Sequence, residues 1–301
     1  MTDSYQRGQY YATLRERRGY RMRDLDVVAS SGDLFRFEHD KQELRSSRMQ
    51  TLRDLLGLLP EEGYGSEVAD NFDQTLVDLK NVTNVDDLIN RVTTFVNRNE
   101  TRLPGAVRLY CVDALYLSHV RLVMDSPALL AHYHAPQLVQ KYWRDLSRVN
   151  YWLKADYYIA YGLWDQWSAD QQRRLLNSAM NPPGDMTFLW LQLLIRAEQV
   201  ALRNGDGETV RLCIDLCRET TIPSVRTQQM FLLRIAKLTL VDALDHSMES
   251  VAALDQLQDD LAIVATPFYC DLLRDTRAAL TTAHNNGLVV ATSNKHKKSP
   301  S

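Results

Sequence analysis

Apolar residues recur at every third or fourth position along most of this 301-residue chain. This spacing is typical of helices that bury one face, whereas the strict alternation that marks strands is nearly absent. Residues 46–59 show the pattern clearly. Four of its apolar residues, Met49, Leu52, Leu56 and Leu59, fall on one helical stripe. We therefore predict an all-α protein.

Proline, glycine and asparagine interrupt this pattern at intervals of about one helix. The interruptions are residues 60–65, Pro104-Gly105, Pro136, 181–184, 204–207, Pro223 and Pro267. They predict roughly nine or ten helices after residue 65, each about 10–20 residues long and joined by short loops. A long run of such helices is typical of an α-solenoid. No clean tetratricopeptide consensus is present, so repeats of that type would be degenerate.

The first sixty residues are organised differently, with shorter elements. The pattern predicts helices over residues 9–18, 23–28, 33–39 and 46–59, with a turn at residues 29–32. Phe37 is expected to face the core. Two short helices around a tight polar turn form the skeleton of a helix-turn-helix, which is a DNA-binding motif.

Charge permits DNA binding in this region without demanding it. The whole chain has a net charge of −3, but residues 1–60 carry eleven Lys and Arg against nine Asp and Glu. In a helix-turn-helix the first turn of the third helix lies nearest the base edges, and flanking cations contact phosphates. The candidate DNA-binding residues are Arg15, Arg17, Arg18, Arg23, Ser30, Ser31, Asp33, Arg36 and Lys41.

Two of these candidates have an alternative interpretation. Asp33 could accept a hydrogen bond from cytosine, but an acidic residue in a first turn also simply favours the helix dipole. Arg36 could reach a base or a phosphate, and it could equally be a solvated surface arginine. Both interpretations remain open from the sequence.

The stretches "LRERRGYRMRDLD" and "SSGDLFRFEHDKQELRSSRMQTLRDLLGLLPEEGYG" carry a resemblance to a known family. They resemble the Xre/Cro-type helix-turn-helix and, more narrowly, the Rgg/GadR/MutR transcriptional regulators. The resemblance implies that Glu38 pairs with an arginine of the first helix, and Arg15 is the candidate. The chain departs from the family pattern at Asp26, Gly32 and Phe35, which puts the base preference in doubt.

The resemblance extends into residues 142–176, where Trp152 matches a family tryptophan, Asp156 replaces a glutamate and Gly162 replaces an asparagine. Rgg-type proteins dimerise through a helical-repeat domain that binds a short peptide pheromone, so the resemblance implies both a homodimer and a peptide partner. The asparagine position is linked to peptide binding in relatives. Its replacement by Gly162 puts the standard pheromone contacts in doubt.

The same segment is unusually aromatic, and tyrosines at adjacent helical positions cannot all face a core. Exposed tyrosine and cationic side chains would suit an extended apolar peptide. The alternative is that these rings pack between neighbouring helices. The candidate peptide-binding residues are Arg148, Lys154, Tyr157, Tyr158 and Tyr161, with Gln192, Arg196 and Arg234 as weaker candidates.

Several other function classes find no support in the sequence. Four cysteines, at positions 111, 213, 217 and 270, are expected to be reduced thiols. The apolar stretch of residues 187–195 is too short to cross a bilayer, and no export signal is recognisable. The pair His132 and His134 lacks further metal ligands nearby. We find no catalytic motif, and we predict no enzyme activity, no metal and no cofactor.

These observations predict a homodimeric, cytoplasmic transcriptional regulator of the Rgg type, controlled by a peptide pheromone in quorum sensing. The expected domains are a helix-turn-helix at 1–62, a degenerate TPR-like helical repeat at 66–285 and a disordered basic tail at 286–301. Two alternatives stay open. The chain could be a helical scaffold that has lost specific DNA binding, or a regulator that responds to a ligand other than a peptide.

Overall fold

The computed structural model describes residues 7–17, 20–56, 69–99, 105–147, 152, 154–179, 187–220, 222, 227–264, 267–288 and 290. Every regular element in these ranges is a helix, which confirms the predicted all-α class. None of the described helices is long and apolar enough to cross a membrane. The chain divides into two compact units, Met1–Gln166 and Trp167–Ser301, and this division falls within the predicted repeat domain. The predicted boundary near residue 62 lies outside the described residues, as does the predicted tail apart from residues 286–288 and 290.

The first unit begins with four short helical elements and continues with seven longer or tightly connected helices. The first four are α1 (Arg7–Arg17), a 3-10 helix (Met22–Leu25), α2 (Ser31–Glu38) and α3 (Ser46–Leu56). The others are α4 (Ala69–Leu79), α5 (Val85–Asn99), α6 (Gly105–Leu117), α7 (Val120–Met124), α8 (Pro127–Tyr133), α9 (Pro136–Leu146) and α10 (Lys154–Leu163).

The second unit consists of six helices in its described residues. They are α11 (Ala169–Ala179), α12 (Thr187–Asn204), α13 (Gly207–Glu219), α14 (Thr227–Asp245), α15 (Met248–Val264) and α16 (Pro267–Asn285). Helix α12 lies at the centre, because it packs against α13, α14 and α16. Its side chains are accordingly buried on almost every face from Leu189 to Leu202. A helix that is buried all round reads as a nearly continuous apolar run, as this one does.

The N-terminal elements share one small core. Helix α1 packs against α2, and α2 packs against the 3-10 helix. The buried apolar residues of this core are Tyr11, Leu25, Val28, Ala29, Leu34, Phe37, Leu44, Met49, Leu52 and Leu56. Phe37 lies in the core as predicted. The arrangement of short helices around a turn is the helix-turn-helix that the sequence indicated.

Local hydrogen bonds explain where the observed elements differ from the predicted ones. The element predicted at 23–28 is a 3-10 helix over Met22–Leu25, because Asp24 Oδ2 accepts from Arg21 N at 2.8 Å and closes a tight turn. Helix α2 begins at Ser31, two residues early, because Ser30 Oγ accepts from Asp33 N at 3.2 Å and caps it.

The helices after residue 65 are also more numerous than predicted. Thirteen α-helices occur in that part of the described chain, because α7 and α8 are only five and seven residues long. Two predicted interruptions instead open a helix, since α9 begins at Pro136 and α16 at Pro267. Proline suits the first helical turn because its missing N–H would have no partner there.

Candidate nucleic-acid interface and ligand-binding residues

A buried ion pair fixes α1 to α2. Arg15 Nε donates to Glu38 Oε1 at 2.5 Å and Arg15 Nη2 to Glu38 Oε2 at 2.8 Å, so the pair is bidentate. Arg15 Nη1 donates to the Tyr20 carbonyl oxygen at 2.8 Å. The hydrogen bond with Glu38 is the main reason why the pKa of Arg15 is raised. The predicted partnership of Arg15 and Glu38 is therefore confirmed.

This position corrects the assignment of Arg15 to the DNA-facing side. Only 5% of the residue is exposed, and its guanidinium is engaged within the core. A phosphate contact would have to break a buried pair, which is costly. The neighbouring candidates cannot be placed in the same way, because the Arg17 side chain and all of Arg18 lie outside the described residues.

The N-terminal turn of α2 presents its polar candidates to solvent. Ser30 and Ser31 are exposed, and Ser31 Oγ donates to Asp26 Oδ1 at 3.2 Å. Arg23 is exposed on the 3-10 helix before it. Lys41 is exposed after α2, with its Nζ 5.9 Å from the centre of the Phe35 ring. These side chains remain accessible for contacts with a nucleic acid.

Asp33 and Arg36 form the most structured feature of this surface. Arg36 Nη2 donates to Asp33 Oδ1 at 2.6 Å, and Arg36 Nε donates to Gln42 Oε1 at 3.0 Å. Arg48 Nη1 lies 3.8 Å from Asp33 Oδ2. Hydrogen bonds from Arg36, then Ser30 and Gln42, hold the pKa of Asp33 below its ordinary value. Exposed pairs of this kind contribute little to stability, so Arg36 can exchange Asp33 for another anion at little cost.

Two further exposed features of this region were missed by the sequence reasoning. Arg45 and Arg48 are exposed at the start of α3. Arg45 immediately precedes the helix and Arg48 lies in its first turn. Their position at the predicted helix start is the signal that could have identified them. Phe35 is 45% exposed, with its ring centre 3.9 Å from that of His39. An exposed aromatic pair on α2 is available for apolar contact with a base or a partner surface.

The ligand-binding candidates of the first unit differ in exposure. Tyr157 is 2% exposed, and its ring centre lies 5.4 Å from that of Trp152, so it belongs to the core. This corrects its assignment as a peptide-binding residue. Lys154, Tyr158 and Tyr161 are half-buried on α10 and stay candidates. Arg148 lies outside the described residues.

Gly162 has a packing role that explains its departure from the family pattern. A Cβ at this position would lie 2.6 Å from Leu117 Cβ, because α10 packs closely against α6. An asparagine side chain would have to displace the buried Leu117. The local packing of this chain thus favours glycine over the asparagine that the resemblance led us to expect.

The ligand-binding candidates of the second unit lie on two helices. Gln192 and Arg196 are half-buried on α12, one helical turn apart. Arg234 is exposed on α14, where its Nη2 lies 3.3 Å from Asp260 Oδ2 of α15. All three side chains are polar and at least partly exposed. Their role in ligand binding stays a prediction.

The chain is similar in structure to the SHP pheromone receptor Rgg2 of Streptococcus dysgalactiae. The TM-score is 0.51 at 12% identity, over 90% of this chain and 99% of that chain. The PrgX/iCF10 complex matches with a TM-score of 0.46 at 11% identity, over 93% and 98% of the two chains. Apo ComR from S. thermophilus matches at 0.47 and 12%, over 93% and 99%. No family model and no curated protein matches the chain.

At 12% identity the similarity to Rgg2 concerns the fold alone. The other two structures have TM-scores below 0.5, and we draw no inference from them. This chain has the fold of an Rgg protein. The resemblance stated from the sequence is confirmed at that level.

Proposed function

We propose that this protein is a DNA-binding transcriptional regulator of the Rgg type. The observation that carries the proposal is the N-terminal helix-turn-helix, in which the buried Arg15–Glu38 pair fixes α1 to α2 while Arg36 and the first turn of α2 stay exposed. A rigid scaffold that presents one short helix to solvent is what major-groove recognition needs. Regulation rather than catalysis is the role that this arrangement supports.

The exposed side chains suggest which residues contact bases and which contact phosphates. Arg36 reaches bases or phosphates from α2, while Arg23, Lys41 and Arg48 supply charge at the edges. Asp33 holds Arg36 along the surface before DNA arrives, and its negative charge disfavours phosphates. DNA binding on this account replaces the Asp33–Arg36 pair with an Arg36 contact to the nucleic acid.

The decisive experiment measures the affinity of the full-length chain for the DNA upstream of its own gene across a salt series. Arg36→Ala is compared with Arg274→Ala, a matched control. In both pairs an arginine Nη2 lies 2.6 Å from an aspartate Oδ1 three residues earlier on an exposed helix face. We expect Arg36→Ala to weaken binding by about 1–3 kcal/mol or to lower the salt slope by about one, and Arg274→Ala to do neither.

Either of two results would contradict DNA recognition by α2. The first is equal binding by wild type and Arg36→Ala with equal salt slopes. The second is wild-type binding that does not exceed binding to a random fragment, with the protein shown to be folded by circular dichroism.

We further propose a short peptide as the regulatory ligand. Support comes from the likeness of fold to a protein described as a pheromone receptor, and from the half-buried tyrosines of α10. A peptide with unequal affinity for two states of the regulator would shift its DNA binding. A degenerate TPR-like repeat domain over residues 66–285, a homodimer and a cytoplasmic location complete the proposal. Light scattering across concentrations tests the dimer.

The peptide proposal is tested by adding a library of short apolar synthetic peptides to the full-length chain on labelled DNA. Tyr158→Phe and Tyr161→Phe remove hydroxyl groups but keep the rings, and Tyr116→Phe on α6 is the control. A peptide that changes DNA affinity in wild type and Tyr116→Phe, but less in the α10 variants, is the expected result. Equal responses in all four proteins would show that these α10 hydroxyl groups take no part in peptide binding.

One observation favours a second candidate function. Arg36 is already engaged by Asp33 and Gln42, and Phe35 is exposed on the same helix, which would suit a helical scaffold that binds another protein instead of DNA. Asp33→Asn separates the two functions. A regulator gains DNA affinity when this acidic residue is removed, whereas a scaffold without DNA binding gains none.

A further inference from the structure

Two histidines and a buried carboxylate meet where α14 and α16 end. Asp242 lies in the last turn of α14, His246 directly follows that helix, and His284 lies in the last turn of α16. One ligand atom from each residue lies within 4.8 Å of the others. The prediction of no metal from the sequence rested on the pair His132 and His134, which has no further ligands nearby. It did not consider Asp242, His246 and His284, and His284 is remote from the other two in the chain. The i, i+4 spacing of Asp242 and His246 was the only local signal.

The backbone turns His246 back toward Asp242. His246 adopts a left-handed conformation with φ of 42°, which few residues other than glycine adopt. Its N–H donates to the Asp242 carbonyl oxygen at 2.9 Å and ends the helix. The imidazole Nδ1 then lies 3.2 Å from Asp242 Oδ2. An unusual backbone conformation therefore positions a possible ligand beside a carboxylate.

Asp242 is held in place by its own partners. It is 1% exposed, and its Oδ1 accepts from Ser250 Oγ at 2.5 Å. Its Oδ2 faces both imidazoles, with His284 Nε2 at 3.8 Å. The two ring centres are only 3.8 Å apart. A hydroxyl that orients one carboxylate oxygen while the other faces two imidazoles is the arrangement that supports ligands in protein metal sites.

The spacing fits zinc. Zinc binds imidazole nitrogen and carboxylate oxygen at about 2.0–2.2 Å, and in a tetrahedral site such ligand atoms lie about 3.3 Å apart. The separations of 3.2 Å and 3.8 Å from Asp242 Oδ2 are near this value, and no pair of the three ligand atoms is more than 4.8 Å apart. His284 Nε2 also lies 3.3 Å from the Asp242 carbonyl oxygen, a contact that metal binding would replace. The exposed side chain of His246 can make the remaining adjustment. Calcium and magnesium prefer oxygen ligands, so two imidazoles favour a transition metal.

We infer that Asp242, His246 and His284 form a binding site for a divalent transition-metal ion, with zinc as the expected occupant. Three protein ligands leave a coordination position for water or for an anionic group of another molecule. The ion would tie the end of α14 to the end of α16 and would stabilise this part of the second unit. The site shares no residue with the proposed DNA-binding and peptide-binding sets.

The test is calorimetric titration of zinc chloride into the full-length chain in a chelator-free buffer. His246→Asn removes the imidazole and keeps a residue that tolerates the left-handed backbone, and His284→Gln removes the second imidazole. His132→Asn, at an exposed histidine of α8, is the control. We expect one zinc per chain in wild type and control, with affinity at least about tenfold weaker in each variant.

Cobalt(II) provides a second readout, because its visible spectrum distinguishes histidine and carboxylate ligands from thiolates. For the wild type we expect visible absorption from bound cobalt without a thiolate-to-cobalt charge-transfer band. This absorption should be lost in His246→Asn and His284→Gln. Circular dichroism confirms that both variants are folded. A wild type that binds no stoichiometric zinc, or variants that bind it as tightly as wild type, would overturn the inference.

Discussion

Two parts of this molecule bury carboxylates in different ways. In the N-terminal region, Glu38 receives two hydrogen bonds from the Arg15 guanidinium. In the second unit, the fully buried Glu198 of α12 has only the Thr239 hydroxyl at Oε1, and its Oε2 has no hydrogen-bond partner among the described residues. Burial raises the pKa of Glu198 well above its ordinary value. The first carboxylate is paired with a cation, whereas burial favours the neutral, protonated form of the second.

A buried carboxyl group without a cationic partner also occurs in the first unit, on α6. Asp113 of α6 accepts from Tyr133 Oη at 2.9 Å and from Tyr142 Oη, and burial is the main cause of its raised pKa. A buried charge needs an opposite charge, and without one the group gives up its charge. The N-terminal region uses a charged pair to fix α1 to α2, whereas the buried carboxyl groups of Glu198 and Asp113 are held by hydroxyl groups from neighbouring helices.

Removing one partner of the charged pair should have the largest effect. Glu38→Ala leaves the Arg15 guanidinium buried without its carboxylate, and we expect a loss of about 3–5 kcal/mol in the free energy of unfolding of the unit. Urea denaturation followed by circular dichroism measures it. The double variant Arg15→Met, Glu38→Leu should regain most of the loss. A loss below about 1 kcal/mol for Glu38→Ala would show that the pair is not the main link between α1 and α2.

Removing a neutral partner should cost less. Tyr142→Phe deletes one hydrogen bond to Asp113 while the ring stays in place, and we expect a loss of about 1–3 kcal/mol, because a buried acceptor loses a donor. Tyr116→Phe, a half-buried tyrosine on α6, is the control. If both variants unfold at the same urea concentration as wild type, the Asp113 contacts contribute nothing measurable.

The raised pKa of Glu198 predicts a pH dependence of definite sign. The folded chain keeps this proton above the ordinary glutamate value of 4.5. The stability from this group is therefore full in acid and is lost as the pH rises above about 4.5 toward the folded pKa. Glu198→Gln cannot ionise, so its stability relative to wild type should rise with pH. Urea midpoints at several pH values measure this, and a constant difference would mean that Glu198 does not carry the proton.

The smallest effect is expected at an exposed pair. Arg21 Nε lies 3.2 Å from Asp24 Oδ2 in solvent. Arg21→Ala should leave the urea midpoint close to that of the wild type, because exposed pairs are well solvated. The same denaturation experiment sharpens the contrast with Glu38→Ala. Comparable losses in the two variants would remove the distinction between buried and exposed pairs in this region.

The sequence predicted what depends on local spacing. Apolar periodicity gave the helices, and the resemblance gave the Arg15–Glu38 pair, because both residues belong to one short motif. Contacts across distant parts of the chain were out of reach. The sequence could not tell that Tyr157 is buried in the core and Tyr158 only half-buried, because either assignment satisfies the same helical pattern. It could not bring His284 to Asp242, since that depends on how α14 and α16 pack.

Gly162 is a second case in which a contact between distant parts of the chain could not be predicted from the sequence. The sequence marked it as a departure from the family pattern and placed doubt on ligand binding. The structure adds the reason, which is the 2.6 Å separation between a Cβ at this position and Leu117 Cβ of α6. A glycine that allows two helices to approach closely has no distinctive local pattern, so its partner could not be named in advance.

The central claim is that the N-terminal region recognises a particular DNA sequence. The most direct measurement compares the affinity of the full-length chain for the DNA upstream of its own gene with its affinity for a shuffled fragment of equal length and composition. At one salt concentration near physiological strength, we expect the chain to prefer the upstream DNA to the shuffled fragment by at least about 10³-fold. Equal affinity for both fragments, with the protein folded and with or without added peptides, would contradict it.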